Sequence, residues 1–114
     1  MADKRNEKRK KKRLRITYSA FTEDMFNGFS SDISPSGVFI RTKRPFRPGV
    51  PVNISLEVNE GRKIELAGIT AWSVKTGFVY YKKDGMGVRL VSPPQIYNDF
   101  LRILQNEPFV AGRQ

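Results

Sequence analysis

The stretch VPVNISLEVNEGRKIELAGITAW, residues 50–72, decides the fold. Val50, Val52, Ile54, Leu56 and Val58 alternate with other residues, so all five face one way along an extended chain. Asn59, Glu60 and Gly61 supply turn chemistry, and KIELAGITAWSV (63–74) returns. Gly68, in the middle of that return, predicts a bulge or a sharp bend. The unit is a β-hairpin, and its neighbours read in the same way. In LRITYSA (14–20), Leu14, Ile16, Tyr18 and Ala20 carry the same period of two. FNGFSSDIS (26–34) is less regular, with Asn27-Gly28 available for a turn. GVFIRT (37–42) is a short strand broken by PFRPG (45–49), because proline donates nothing to a ladder. GFVYY (77–81), a hairpin signal at Asp84-Gly85 and GVRLV (87–91) complete the series.

About six short strands with no helix between them predict a small antiparallel barrel or sandwich. Pro93-Pro94 then stops the last strand. In QIYNDFLRILQNE (95–107), Ile96, Phe100, Leu101 and Leu104 fall on one helical face. That helix is expected to cap an open end of the barrel. The expected organisation is a flexible basic arm over 1–13, a barrel over 14–92 and a C-terminal helix over 95–106.

Composition narrows the chemistry. The chain of 114 residues carries a formal net charge of +10, unevenly spread. Residues 1–15 hold nine Lys or Arg and two acids, a balance of +7; residues 16–114 hold twelve against nine, a balance of +3. An arm so charged repels itself and suits an anionic partner. There is no cysteine, so disulfides and thiolate chemistry are excluded, and no histidine, which removes the commonest general base and most zinc sites. The expectation is a protein that is not an enzyme and needs no cofactor. No apolar run is long enough to span a bilayer, so no membrane insertion and a soluble, cytoplasmic chain are expected.

Two motifs carry chemistry. In Arg9-x-x-x-Arg13 the two side chains point to the same side of an extended segment. Each guanidinium can grip a phosphate bidentately, bond the O6 and N7 of guanine, or stack on a base. The same spacing arises by chance in a Lys/Arg run, and Arg5-x-x-x-Arg9 also fits. Position favours Arg13, which directly precedes the Leu14 strand. The second motif is Asp32-x-Ser34-x-x-Gly37, read as a turn. Asp32 suits the N1–H and N2–H2 edge of guanine, Ser34 adds a donor and acceptor, and Gly37 permits positive φ or close approach. Asp and Ser also cap a turn's own amides, so a purely local role is the alternative.

The order and spacing of RKKKR (9–13), DISPSGVFI (32–40), Gly49, AGITAW (67–72) and GMGVRL (85–90) resemble the PilZ domain family over nearly the whole chain. The resemblance implies a six-stranded antiparallel β-barrel with a C-terminal helix, acting as a receptor for the bacterial second messenger cyclic di-GMP. It carries ligand binding onto Arg9, Arg13, Asp32, Ser34 and Gly37. Lys8, Arg41, Lys43 and Arg89 are further candidates to contact ligand. The arm is expected to order on binding and to signal to an unidentified downstream protein. Trp72 is expected in the core, and Phe21, Phe26 and Phe29 are expected to pack rather than to stack bases. Two other readings fit the composition: a basic barrel that tracks single-stranded nucleic acid, the less favoured, and a PilZ-like module that docks on an acidic protein without ligand.

Overall fold

The computed structural model describes residues 9–76 and 84–105. Its strands are β1 (Lys10–Lys11), β2 (Arg15–Ser19), β3 (Phe26–Ser34), β4 (Gly37–Arg41), β5 (Pro51–Glu57), β6 (Lys63–Val74) and β7 (Gly85–Leu90). A 3-10 turn at Asn59–Gly61 joins β5 to β6, and Gly61 takes the positive φ of 79° that such a reversal requires. One helix, α1 (Gln95–Gln105), follows.

The strand order is β1-β3-β2-β5-β6-β7-β4, with β3 also pairing with β4. That last pairing closes β2 to β7 into a six-stranded antiparallel barrel, as expected. Closure satisfies the ladder on both sides of each strand and removes the exposed edges that an open sheet carries. β1 is extra: it extends the edge of β3 beyond the point where β2 ends.

Alternation does the folding. Val52, Ile54 and Leu56 of β5 point inward with Ile64 and Leu66 of β6, Ile16 and Tyr18 of β2, and Val38 and Ile40 of β4. Burying such side chains contributes about 1.5–3 kcal/mol each before the entropy of ordering them is set against it. The hydroxyl of Tyr18 is accommodated by donating to the Arg44 carbonyl at 2.8 Å and by a 2.7 Å bond with Thr42 Oγ1. Burial pushes its phenol pKa up, against the lowering by Thr42 and Arg44.

Helix α1 buries Tyr97, Leu101 and Leu104 in the barrel's core cluster, and Phe100 packs against it partly buried. The expected face was one residue out at its start: Ile96 is half-exposed, whereas Tyr97 is fully buried. The buried positions are spaced by four and three, and the Tyr97 ring is long enough to carry its hydroxyl to the Ser34 carbonyl of β3.

Three further expectations change. Asn27-Gly28 makes no turn; both lie inside β3, where a Cβ on Gly28 would sit 2.7 Å from the Arg41 carbonyl oxygen. Gly68 marks a close crossing, not the bulge, for its Cβ would lie 2.5 Å from the Arg89 carbonyl oxygen of β7. The bulge falls between Thr70 and Trp72, which pair with the consecutive residues Val88 and Gly87. That shift of one residue rotates Trp72 out of the core, and it is half-exposed, with its indole stacked on Phe39 at 4.9 Å. The predicted strand 77–81 lies outside the described residues.

Candidate ligand groove

The arm and the Asp32 motif meet on β3. Lys10 is the register partner of Ile33, and Lys11 of Asp32. Arg9 stands one residue beyond Lys10 and is exposed. Residues 9–13 are therefore laid along the strand that bears the acidic motif, with β1 itself holding Lys10 and Lys11.

Two register shifts, one on each side of β3, aim the side chains. On the β4 side, Ser30 pairs with Ile40 and Asp32 with Phe39, so Ser31 is the extra residue of a bulge. Without it, Asp32 would share the inward face of Ser30. With it, Asp32 stands opposite Phe39, on the outer face of the barrel. On the arm side, four steps of chain run from Lys11 to Arg15, while three run from Asp32 to Phe29. The arm thus carries one residue more than β3 beside Arg13 and Leu14.

Ser30 fills that arm bulge. Its Oγ accepts from the Leu14 amide at 2.9 Å and donates to the Lys12 carbonyl, while its own amide donates to the Leu14 carbonyl at 2.9 Å. The Lys12 amide donates to Ser31 O at 3.1 Å. Ser30 is only 2% exposed, so these bonds satisfy a polar side chain at a core position. Arg13, between the two residues that Ser30 ties, lies with its guanidinium 4.0 Å from the centroid of Phe29. That distance is well inside the range of a cation–π contact. Phe29 itself is 37% exposed, neither a core residue nor packed at a barrel end.

Beside it opens a groove of about 620 Å³, lined by Lys11, Lys12, Arg13, Phe29, Ser30, Ser31 and Arg41. Arg41 is the register partner of Phe29 across the β3–β4 ladder, so the two side chains share a face. Four of the seven lining residues are cationic and none is acidic. Such a groove favours an anion, and the Arg13 guanidinium stacked on Phe29 adds a flat surface for planar groups.

Of the predicted site residues only Arg13 and Arg41 line this groove; Arg9 and Asp32 are not among its lining residues, and the other candidates sit elsewhere. Ser34 is buried, and its hydroxyl serves the tight β3–β4 turn: it accepts from the Gly37 amide at 3.2 Å and lies 3.4 Å from the Gly37 carbonyl. The turn residues proper are Pro35 and Ser36, and Asp32 belongs to β3 rather than to the turn. Gly37 does not adopt positive φ; a Cβ there would lie 3.1 Å from the Val88 carbonyl oxygen, so the glycine admits strand β7. Arg89 is exposed on β7 as the register partner of Gly37, at the turn and not among the groove's lining residues. Lys43 lies past the end of β4, where its charge acts on Asp84. Lys8 lies outside the described residues.

Asp84 is a second polar feature. It is buried, and it accepts from both the amide and the hydroxyl of Thr76 at 2.9 Å. The Thr76 amide first, then its hydroxyl and the charges of Lys43 and Lys75, outweigh burial and hold the Asp84 carboxyl below the usual carboxylate range.

Lys11, Lys12, Phe29, Ser30 and Ser31 were not anticipated as groove residues. Ser30 could have been flagged, because it is a hydroxyl at an inward position of an alternating strand. The bulge that turns Asp32 outward leaves no comparable signal.

A closed barrel of six antiparallel strands, capped by one helix and carrying a cationic groove on its outer face beside the N-terminal arm, defines a small all-β domain of barrel type. The chain belongs to the PilZ domain family: the model of the PilZ domain matches residues 3–105. Among solved structures it is similar to the Bacillus subtilis inhibitor of motility MotI/DgrA, with TM-score 0.70 and 16% identity over 93% of this chain. The match takes in 53% of MotI/DgrA, so the chain spans about half its length. It is also similar to the PilZ domain of CeSA from a cellulose-synthesizing bacterium, with TM-score 0.61 and 15% identity over 86% of this chain and 95% of that one. No curated protein matches the sequence. Among the described residues, no helix is long and apolar enough to cross a membrane.

Proposed function

We propose that this domain is a receptor for cyclic di-GMP, binding it on the outer face of β3 between the arm and Asp32. The observation that carries the reading is the pairing of Lys11 with Asp32, which lays the arginine-bearing arm along the acidic motif. Cyclic di-GMP has two phosphates and two guanines. Arg9, Arg13 and Arg41 supply forks for phosphate or for the N7/O6 edge, and Asp32 supplies an acceptor for the N1–H/N2–H2 edge. Ser34 and Gly37 act through the turn: the hydroxyl and the missing side chain fix the β3–β4 hairpin on which Asp32 stands. The surface that the arm and the bound nucleotide form together is the output, read by a downstream protein, so the domain works as a receptor and not as an enzyme.

Titration calorimetry with cyclic di-GMP tests this. Saturable heat at micromolar protein and moderate salt is expected, and its absence contradicts the reading. Phosphate tracking by a nucleic-acid barrel gives a different pattern, with binding of any oligonucleotide, a steep salt slope and indifference to Asp32→Ala.

A further inference from the structure

We infer that Ser30 and Phe29 are positioning residues for Arg13, so that this arginine meets the nucleotide from a preset orientation; the inference rests on the cyclic di-GMP reading. The register requires the arm to accommodate one extra residue opposite Ser30. A bulge with nothing to hold it is a soft point in a ladder. Here the Ser30 hydroxyl spans it, tying the carbonyl of Lys12 to the amide of Leu14, the residues on either side of Arg13. The backbone is therefore held on both sides of the arginine by one buried side chain. Phe29, the preceding residue of β3, points to the opposite face and gives the guanidinium a ring to lie on at 4.0 Å. One face of Arg13 is thereby covered, leaving its other face and its N–H edge for ligand. Lys12 lacks the planar fork that makes such an arrangement directional. Fixing the side chain before binding lowers the ordering cost that an arm arginine otherwise meets when ligand arrives.

The test uses the full chain in two measurements. In the free protein, the Arg13 Nε–H proton should be shifted upfield by the ring current of Phe29. Ser30→Ala and Phe29→Leu should each abolish that shift, and Ser30→Thr, which keeps the hydroxyl, should retain it. Phe29 is on the outer face, so Phe29→Leu supplies a folded variant if Ser30→Ala is unstable. In calorimetry with cyclic di-GMP, Ser30→Ala should weaken binding about tenfold in the wild-type background and not at all in an Arg13→Ala background, since the effect runs through that arginine. Equal loss in both backgrounds, or an Arg13 signal unmoved by Ser30→Ala in a chain that binds, overturns the positioning role alone. A wild-type chain with the ring-current shift but no heat overturns the ligand reading and leaves the clamp without the function assigned to it.

Discussion

The hydroxyl of Tyr97 donates to the carbonyl of Ser34 at 2.7 Å, joining α1 to the end of β3 across 63 residues. The bond is buried, and it ties the last element among the described residues to the hairpin that carries the acidic motif. Tyr97→Phe removes it while keeping the ring. The expected cost is about 0.5–1.5 kcal/mol, seen as a drop in Tm of a few degrees in thermal unfolding. Tyr97→Ala also opens a cavity and should cost about 3–5 kcal/mol.

Asp84 gives the domain an acid-sensitive brace. Its carboxyl titrates lower in the folded chain than in the unfolded one, chiefly through the Thr76 amide. A depressed pKa contributes stability that is present above the unfolded value and is lost as pH falls through the folded value. Denaturant titrations should therefore show Asp84→Asn less stable than wild type at pH 7. The gap should narrow as pH falls below the ordinary carboxylate range. A gap constant from pH 7 to pH 2 contradicts the assignment.

Two glycines should respond differently to alanine. At Gly68 the new Cβ would lie 2.5 Å from the Arg89 carbonyl oxygen, a backbone atom of the barrel wall. At Gly87 it would lie 2.4 Å from Nε1 of Trp72, a half-exposed side chain. Gly68→Ala should lose about 1–3 kcal/mol or more through strain in β6 and β7. Gly87→Ala should cost less and instead displace the single tryptophan from Phe39, shifting its fluorescence emission to the red.

The two halves of the site should also separate by salt. Arg13→Ala and Asp32→Ala each remove charge-assisted hydrogen bonds worth about 1.5–3 kcal/mol, so each should weaken cyclic di-GMP binding by about one to two decades. Arg13→Ala should flatten the dependence of affinity on ionic strength, because a cation is lost from the site. Asp32→Ala should not flatten it, because its loss is of base recognition.

Much of this was legible in the chain. The period of two in Val52, Ile54 and Leu56, answered by Ile64 and Leu66, fixes the β5–β6 hairpin and its inward face. The turn at Asn59–Gly61 and the helix after Pro94 follow from local chemistry alone. What misled the pattern was register. Trp72 reads as inward if alternation simply continues from Thr70, and one inserted residue reverses it. The same physics hides the outward aim of Asp32, since a bulge is set by which strand pairs with which, a property of the closed barrel. Gly28 looked like a turn because its need is a distant one, the approach of the Arg41 carbonyl. Phe29 as a platform for Arg13 likewise needs the arm laid on β3 before it exists.

The most direct measurement is an NMR titration of the full chain with cyclic di-GMP, following the amides of residues 9–13 and 30–34 together. Both groups should shift along one binding curve and report a single site, with Arg13 and Asp32 among the largest changes. Amides of β3 that stay fixed under excess ligand, or arm amides that move alone and collapse with salt, contradict the site.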